Sequence, residues 1–400
     1  MDASVAHLAA RAARLVHTLV PLQIQDPTEK TTTAVRHLFR LLPLSYPPAS
    51  ALLTSPHHIS IRLVAVTELG LHPRGSLAGP LRLSATILVG RLTGSLLANP
   101  VTVSCEPLVN GPTFLPAENG KGQFEFSPDP SQWVRVLGSD RTQQSAFVRI
   151  SAHGQDTCHD LVLGPFTLSP NSGGDDTAMI DVYRPFEVPG VPDLCLVRED
   201  WGLGIPGKVW DSAIVLSALL VSPARLAALI PPLQKRPLHI VDLSSGTGHL
   251  AALLHLSLKQ PQLQRSHQSV QISCTDLPEA VPLLAANLAA TPVEPHALPW
   301  GDEPAARALG PADLVIASDV VYQAELLPML AATLAALVPP ASGGRVVFGY
   351  KPRGLTSAEE DAFFVGALVE QYGFRVIAAE EQSGDRQARF GVVVIVLERP

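Results

Sequence analysis

The residues with the clearest chemical potential lie in the segment HIVDLSSGTGHLAALL, residues 239–254. An apolar run ends on Asp242, enters a turn that contains Ser244, Gly246 and Gly248, and leaves as an apolar helix. The glycines allow a tight turn and let a ligand lie against the backbone, because a Cβ would fill that space. A carboxylate here would repel the diphosphate of a dinucleotide, whereas it suits an amino group and a positive sulfonium. The turn therefore predicts S-adenosylmethionine as the cofactor.

Two residues that follow the next apolar runs would suit the nucleoside part of this cofactor. Asp276, in the segment QISCTDLPEAVPLLAANL, stands where a carboxylate can accept hydrogen bonds from ribose hydroxyls. It could instead cap the following helix. Trp300, in the segment ALPWGD, has a ring that can stack on adenine, although a lone tryptophan is as often part of a core. Because Asp276 occurs in register with the glycine turn, we interpret both residues as candidate cofactor contacts.

A second pair of candidate residues lies in the segment DLVIASDVVYQAELLPML. An apolar run ends at Asp319, and Tyr322 follows shortly after it. Each residue by itself has an ordinary structural role, as a helix cap or as a packed ring. A carboxylate and a phenol at the carboxyl end of a central strand, however, both point into the crevice where a group would be transferred. Their common location favours a catalytic interpretation.

The chain resembles the family 16 protein methyltransferases, the METTL21-like, seven-β-strand lysine methyltransferases. The resemblance rests on motifs that occur in the family's order and approximate spacing, namely GKVWDSAIVLSALL, VDLSSGTGHL, TDLPEAVPLLAANL, LPWGD and DLVIASDVVY. It covers roughly residues 190–400, and TDLPEAVPLL and DVVY are its most specific pieces. It implies transfer of a methyl group from S-adenosylmethionine to a lysine side chain of a protein substrate.

The resemblance also implies roles for individual residues. The implied cofactor-binding residues are Trp210, Asp242, Ser244, Gly246, Gly248, Asp276, Leu277, Trp300 and Ser318. Asp319 and Tyr322 match the family's D-x-x-Y motif, which lies beside the substrate lysine. Ser244 departs from the family pattern, which has its first glycine at this position, and Asp242 stands where glutamate is commonest. If the position of Ser244 needs a positive φ angle, serine is expected to weaken cofactor binding.

The residues beside the substrate lysine have different expected roles. A lysine ammonium must lose a proton before it can accept a methyl group, and a nearby carboxylate favours the ammonium. We therefore expect Asp319 to orient and bind the charge, Tyr322 to line the lysine channel, and solvent to take the proton. Lys351 and Arg353 follow a later strand and could contact an acidic substrate segment, but a solvated loop is the favoured interpretation.

Two other kinds of function stay open. One is a methyltransferase that acts on a small molecule or on another protein side chain. The D-x-x-Y motif, in place of N-P-P-Y/F, argues against an amide or adenine nitrogen as the acceptor. The other is a non-catalytic scaffold that retains the fold, and Ser244 together with the unassigned first half of the chain motivates it.

The candidate residues need a sheet that brings strand ends together. The regular alternation of strands and helices after residue 196 predicts a parallel sheet covered on both faces. The predicted strands are 238–243, 270–275, 293–298, 312–318 and 344–350, and the predicted helices are 208–221, 248–258, 279–290, 323–337 and 357–372. Phe363, Phe364 and Leu368 are the predicted core face of the last helix.

The end of the chain predicts the remaining strands. The runs GFRVIAAEE and FGVVVIVLER have no helix between them, so they must pair as a hairpin. The predicted fold class of this half is α/β, a Rossmann-like seven-stranded class I methyltransferase with a C-terminal antiparallel hairpin.

The first half of the chain has a different pattern. Short segments rich in β-branched residues, such as HISIRLVAV and LRLSATILVG, alternate with stretches rich in Pro, Gly, Asn and Asp. This pattern predicts a mainly antiparallel β domain. Before it, the segment ASVAHLAARAARLVHTLV predicts an amphipathic helix, since a mitochondrial transit peptide would have more serines. We predict a domain of unassigned function over residues 1–190 and a methyltransferase domain over residues 191–400.

Composition argues against several classes of partner. The formal net charge of -7 gives no field that would attract nucleic acid or an anionic membrane, and neither is expected. The longest apolar runs, such as SAIVLSALLV, are too short to cross a bilayer. The 4 cysteines are widely separated and form no C-x-x-C pair, so neither a metal site nor a disulfide framework is expected. A reducing compartment fits best, and we expect the cytoplasm, with the nucleus as a second location.

Overall fold

The structure is a computed structural model of the chain, which divides into two compact units. It describes residues 38–54, 58–71, 81–107, 113–114, 120–128, 144–153, 158–166, 179–230, 237–260, 263, 269–384 and 388–400. The first unit comprises residues 37–209 with 286–291, and the second contains residues 210–285 and 292–400. The amphipathic helix predicted near the start of the chain lies outside the described residues.

The first unit is built from β-strands and one short helix. Its strands are β1 (Phe39–Pro43), β2 (Ile59–Val66), β3 (Leu81–Thr93), β4 (Leu96–Ser104), β5 (Glu106–Pro107), β6 (Thr113–Phe114), β7 (Lys121–Ser127), β8 (Ser145–His153), β9 (Cys158–His159), β10 (Leu161–Phe166), β11 (Asp181–Glu187) and β12 (Leu194–Glu199), and its helix is α1 (Ala51–Thr54). Among the described strand pairs of this unit, all but β1 with β9 are antiparallel.

Two sheets of the first unit share one core. One sheet has the strand order β5-β7-β2-β1-β9, and the other has the order β4-β12-β11-β10-β8-β3-β6. Because β4 also pairs with β3, the second sheet closes on itself. Buried side chains from both sheets, among them Leu41, Ile61, Leu83 and Val148, pack against one another in the core.

The second unit contains a seven-stranded sheet, and the candidate residues lie near the carboxyl ends of its strands. Its strands are β13 (Leu238–Leu243), β14 (Val270–Asp276), β15 (Glu294–Ala297), β16 (Leu314–Ser318), β17 (Arg345–Tyr350), β18 (Arg375–Gly384) and β19 (Ala388–Glu398). The strand order is β15-β14-β13-β16-β17-β19-β18. The first five strands pair in parallel and lie where the sequence predicts them. The closing hairpin adds β19 antiparallel to β17, with β18 at the edge.

Helices connect the strands of the second unit. They are α2 (Asp211–Leu220), α3 (Pro223–Leu229), α4 (His249–Ser257), α5 (Val281–Leu288), α6 (Glu303–Ala308), α7 (Leu327–Leu337) and α8 (Ser357–Asp361), and a short 3₁₀ helix lies at Ala324–Leu326. Another short 3₁₀ helix, Trp201–Leu203, belongs to the first unit. The apolar patterns of the sequence did not predict α3 and α6. Both have a proline at the start and are only 7 and 6 residues long, which is too short to show an apolar period.

The last predicted helix differs from a regular α-helix. It begins at α8 with a capping box, in which the side chains and backbones of Thr356 and Glu359 bond reciprocally. It then continues as a π-helix over Ala362–Gln371. The predicted core face is confirmed, because Phe363, Phe364 and Leu368 are all buried. Two of these rings pack on Phe348 of β17, so the helix covers one face of the sheet.

The apolar helices of the second unit are short. No single helix among the described residues is long and apolar enough to cross a membrane. The bent pair α2 and α3, with 101° between the two helices, meets the criteria of length and composition only when both are taken together.

Candidate functional site

The candidate residues lie at the carboxyl ends of adjacent strands. β13 pairs in parallel with β14 on one side and with β16 on the other, and β16 pairs with β17. The carboxyl ends of these strands therefore meet at one edge of the sheet. β13 is also the point at which the strand order reverses, and ligands of open α/β sheets bind outside the strand ends at this point.

The turn after β13 has a left-handed backbone at three positions. The φ angles of Ser244, Gly246 and Gly248 are 58°, 56° and 76°. Glycine adopts such angles freely, whereas a residue with a Cβ loses about 1–2 kcal/mol. The position of Ser244 thus has the positive φ angle that the sequence analysis identified as unfavourable for serine.

Asp276 fixes the same turn from the neighbouring strand. Its Oδ2 accepts a hydrogen bond from the Gly246 N–H at 2.8 Å, and its Oδ1 accepts one from the Leu277 N–H at 2.7 Å. Burial raises the pKa of Asp276, while the two backbone hydrogen bonds lower it and Glu279 raises it, with a net increase. Each carboxylate oxygen has a second lone pair, so Asp276 can hold the turn and still accept a hydrogen bond from a ligand.

Ser244 has a contact that a glycine could not make. Its Oγ accepts a hydrogen bond from the Trp300 Nε1–H at 2.8 Å. The Trp300 ring in turn packs edge to face on Tyr322, with ring centroids 6.2 Å apart and an interplanar angle of 61°. The serine therefore orients the aromatic ring that is the candidate adenine contact, which offsets part of its backbone strain.

Substitutions of Ser244 separate these two effects. Ser244→Ala keeps the left-handed strain and removes the hydrogen bond, so we expect a loss of about 1 kcal/mol in the free energy of unfolding. Ser244→Gly also removes the bond but relieves the strain, so it should be more stable than Ser244→Ala by about 1 kcal/mol. Urea denaturation of the three proteins measures both differences. Equal stability of the alanine and glycine variants would contradict the strain assigned to this position.

Asp242 is the most deeply buried acid of the site. Its side chain is 1% exposed, and burial raises its pKa from 3.8 to about 7, although interactions with Ser245 and the backbone of Ala251 lower it. Its Oδ2 is buried and has no hydrogen-bond partner among the described residues. A buried polar atom without a partner costs free energy, so this oxygen is prepared for a donor supplied by a ligand.

Ser318, on the adjacent strand β16, supplies a second atom of this kind. Its Oγ is buried without a hydrogen-bond partner in the described part of the chain. The nine-residue helix α4 begins at the end of the turn after β13, with the left-handed Gly248 as its N-cap. Helix N-termini attract carboxylates. An unpartnered carboxylate oxygen, an unpartnered hydroxyl and a helix N-terminus fit the amino-acid end of S-adenosylmethionine.

Asp319 lies at the end of β16 and is bonded to Arg353. The Arg353 Nε donates to Asp319 Oδ1 at 2.9 Å, and its Nη2 donates to Oδ2. The Asp319 side chain is 5% exposed, and the backbone of this residue has a φ angle of 57°. Asp319 is therefore desolvated and has a strained backbone. The carboxylate that the sequence analysis assigned to the substrate ammonium is therefore bonded to an internal cation instead.

Trp210 and Tyr322 flank this ion pair. The guanidinium of Arg353 lies over the Trp210 ring, 5.3 Å from its centroid. Tyr322 is half-buried, and burial together with the charges of Asp276 and Asp319 raises its pKa. Trp210, which the family resemblance assigns to the cofactor, thus packs on the cation paired with Asp319.

The segment after β17 corrects the favoured interpretation of Lys351 and Arg353 as a solvated loop. Lys351 donates to Asp211 Oδ2 at 2.6 Å, and the Lys351 and Arg353 side chains are only 12% and 13% exposed. The solvated-loop interpretation is therefore wrong. The missed signal was topological, because basic residues directly after β17 lie next to the carboxyl end of β16.

The structure brings together most of the predicted site residues. Asp276 contacts the glycine turn, and Ser244, Trp300 and Tyr322 form one chain of contacts. Leu277 is 43% exposed, so its side chain is available to a planar ring. Within the described residues, no group of three or more His, Cys, Asp or Glu side chains could hold a metal ion. All four cysteines are free and buried.

Part of the chain matches a known protein family. Residues 192–370 match the family model described as lysine methyltransferase. This segment is thus similar to the lysine methyltransferase family. The recognition made from the sequence motifs is confirmed. The second unit accordingly has a methyltransferase-like fold with a sheet of mixed parallel and antiparallel strands.

Individual relatives are similar to part of the chain. Protein N-lysine methyltransferase METTL21A of Mus musculus is 29% identical over 147 residues, which are 34% of this chain and 58% of that protein. Protein-lysine N-methyltransferase EFM6 of Saccharomyces cerevisiae is 28% identical over 196 residues, 43% of this chain and 78% of that protein. The solved CurJ carbon methyltransferase is 17% identical with a TM-score of 0.32, over 47% of this chain and 55% of that chain.

Proposed function

We propose that the protein is an S-adenosylmethionine-dependent methyltransferase that transfers a methyl group to a lysine side chain of a protein. One observation carries the proposal: an unpartnered buried acid and a D-x-x-Y motif meet at the same edge of the sheet. Asp242 provides the acid, and Asp319 and Tyr322 provide the motif. The family match over residues 192–370 supports lysine as the acceptor. The similarity to two protein-lysine methyltransferases supports a protein as the substrate.

The cofactor would be held by side chains from four strand ends. Asp242 and Ser318 would bind its amino-acid end through their unpartnered oxygens. Asp276 would accept hydrogen bonds from the ribose hydroxyls, and Trp300 and Leu277 would flank the adenine. The glycines of the turn allow the backbone to approach the ligand closely. When bound, S-adenosylmethionine supplies an electrophilic methyl group on a positive sulfonium.

The protein's own residues would act mainly by positioning. Methyl transfer is an in-line displacement, so holding the acceptor nitrogen in line and excluding water contributes most to the rate. Tyr322 would line the lysine channel with its ring, which Trp300 fixes by edge-to-face packing. Asp319 would hold the wall of this channel through its bonds to Arg353. Solvent would take the lysine proton.

The fold and the cellular setting form part of the same proposal. We infer that the second unit is a Rossmann-like class I methyltransferase fold of seven strands, ending in the antiparallel hairpin. The mainly β first unit accompanies it, with a role that no residue pattern assigns. The net charge of -7 favours a protein partner over nucleic acid or a membrane. The free, buried cysteines favour the cytoplasm or nucleus as the location and argue against a metal site.

The experiment that tests the function uses label transfer. Purified protein is incubated with radiolabelled S-adenosylmethionine and lysate from cells that lack it, and the label is traced to an amino acid. We expect a labelled protein band with the label on lysine, and no such band with Asp319→Ala. Label only in small molecules would favour a small-molecule acceptor. Failure to bind S-adenosylmethionine in a calorimetric titration would favour a non-catalytic scaffold.

A further inference from the structure

The acceptor side of the site contains a fixed positive charge. Arg353 engages both carboxylate oxygens of Asp319 with two different nitrogens, which is the bidentate geometry typical of strong arginine–carboxylate pairs. Both side chains are largely removed from solvent, at 13% and 5% exposure. The pair is therefore part of the wall of the site and not a surface ion pair, which would contribute little.

Two further contacts hold Arg353 in this place. The Trp210 ring lies against its guanidinium, 5.3 Å from the ring centroid, and stabilises the cation. Lys351, two residues earlier in the same segment, is bonded to Asp211 at the start of α2. The loop after β17 is thus attached to both β16 and α2, and the guanidinium has a defined position.

This arrangement changes the electrostatics that an acceptor lysine meets. A free lysine side chain has a pKa of about 10.4, and only its neutral form has the lone pair needed for methyl transfer. A lone buried carboxylate would favour the ammonium form and so oppose the reaction. A carboxylate whose charge is cancelled by a guanidinium does not favour the ammonium form. The guanidinium has the same sign of charge as the ammonium and so disfavours it.

We propose, on the basis of the proposed lysine methyltransferase function, that Arg353 is a positioning residue that makes the acceptor site select a neutral amine. Arg353 cancels the charge of Asp319, so the site does not stabilise the lysine ammonium. The lysine loses its proton to solvent. Its nitrogen lone pair then forms the bond to the methyl carbon as the carbon–sulfur bond breaks, and the positive charge passes from sulfur to the methylated nitrogen.

The test is the pH dependence of a single turnover. The rate of label transfer from S-adenosylmethionine to the acceptor protein in lysate is measured from about pH 6.5 to about pH 9.5, with enzyme in excess. In Arg353→Met, Asp319 loses its guanidinium partner, and its negative charge favours the ammonium. We therefore expect the pH profile of the rate to shift to higher pH by about one unit, and the rate near pH 7 to fall about tenfold. Arg353→Lys retains the charge and should keep the position of the profile, even if its rate is lower.

Two further variants separate charge from structure. The double variant Asp319→Asn with Arg353→Met removes both charges, so its profile should return towards that of the wild type. Arg375→Gln breaks an ion pair with Glu398 at a position where the arginine is 53% exposed, and it should leave the profile unchanged. Calorimetry should find cofactor affinities within about threefold of one another, since the substituted residues follow β16, β17 and the last helix and are not part of the cofactor-binding turn after β13.

Distinct results would overturn the proposal. A rate loss in Arg353→Met that is equal at every pH would show that Arg353 has only a structural role. If the pH profile of the double variant stayed shifted to higher pH, cancellation of the Asp319 charge would not be the role of Arg353. If the wild type binds S-adenosylmethionine but places no label on lysine, the proposed function fails, and this inference fails with it.

Discussion

Replacement of Asp319 by alanine is expected to reduce methyl transfer to protein by about 100-fold or more, while the affinity for S-adenosylmethionine changes less than about threefold. The loss arises because Arg353 would lose its two hydrogen bonds to the carboxylate while its side chain remained largely buried. The wall of the lysine channel would therefore lose its shape. Label transfer and calorimetry on the same preparation measure the two quantities.

Stability must be measured alongside activity for this variant. Removing one partner of a buried ion pair can cost about 3 kcal/mol or more, and alanine must also adopt the left-handed φ angle of Asp319. Asp319→Asn keeps the side-chain volume and serves as the isosteric comparison. Glu303→Gln, which breaks an exposed pair with Arg307 on α6, serves as the charge-matched control. Loss of cofactor binding together with transfer, in a folded Asp319→Asn variant, would refute the acceptor-side assignment.

Cofactor binding is expected to depend on pH through Asp242. The pKa of this buried acid is about 7 in the protein without a ligand, so the carboxyl is mostly neutral at pH 6 and mostly charged at pH 8. A positively charged ligand binds better to the charged form. We therefore expect the dissociation constant for S-adenosylmethionine to be about tenfold lower at about pH 8 than at about pH 6.

Asp242→Asn tests this dependence with little change of shape. The variant should bind the cofactor about 10–100-fold more weakly, because a charge-assisted hydrogen bond is lost, and its affinity should no longer change with pH. Glu303→Gln should retain the wild-type pH profile. A pH dependence of affinity that persists unchanged in Asp242→Asn would assign the titration to another group.

The same pKa shift has a consequence for the free protein. Between the ordinary pKa of 3.8 and the raised value of about 7, the unfolded chain has a charged Asp242 whereas the folded protein keeps it neutral. The contribution of this group to the free energy of unfolding therefore falls as the pH rises through this range and is constant above it. Denaturant titrations of wild type and Asp242→Asn should differ in slope against pH, and saturating cofactor should reduce that difference.

Local patterns were sufficient to predict the strands of the second unit. Five parallel strands lie where apolar runs alternate with helical periods, and the closing hairpin follows from the absence of a helix between its two runs. Short helices escaped prediction because the proline-initiated segments α3 and α6 have too few residues to establish a period. Helix type was also beyond the sequence, since apolar periodicity does not distinguish an α-helix from the π-helix at Ala362–Gln371.

Side-chain partners in the site could be predicted only where they are close in sequence or fixed by strand order. Asp276 and the glycine turn meet because parallel strands align their carboxyl ends. The partner of Ser244 is Trp300, which lies on a different strand-to-helix connection. No rule of spacing relates these two residues, so the compensation for the left-handed serine was not foreseeable.

The sequence by itself determined the chemistry available to this protein, because residue types and their distance along the chain define the glycine turn, the strand-end acids and the D-x-x-Y motif. The tertiary structure decided which acids are charged and which charges are paired. It buries Asp242 and so raises its pKa to about 7, and it brings Arg353 from the end of β17 to the carboxylate of Asp319. Burial and pairing arise when strands that are distant in sequence pack side by side. The free energy of a charged side chain depends on the solvent and charges around it in space more than on its neighbours along the chain.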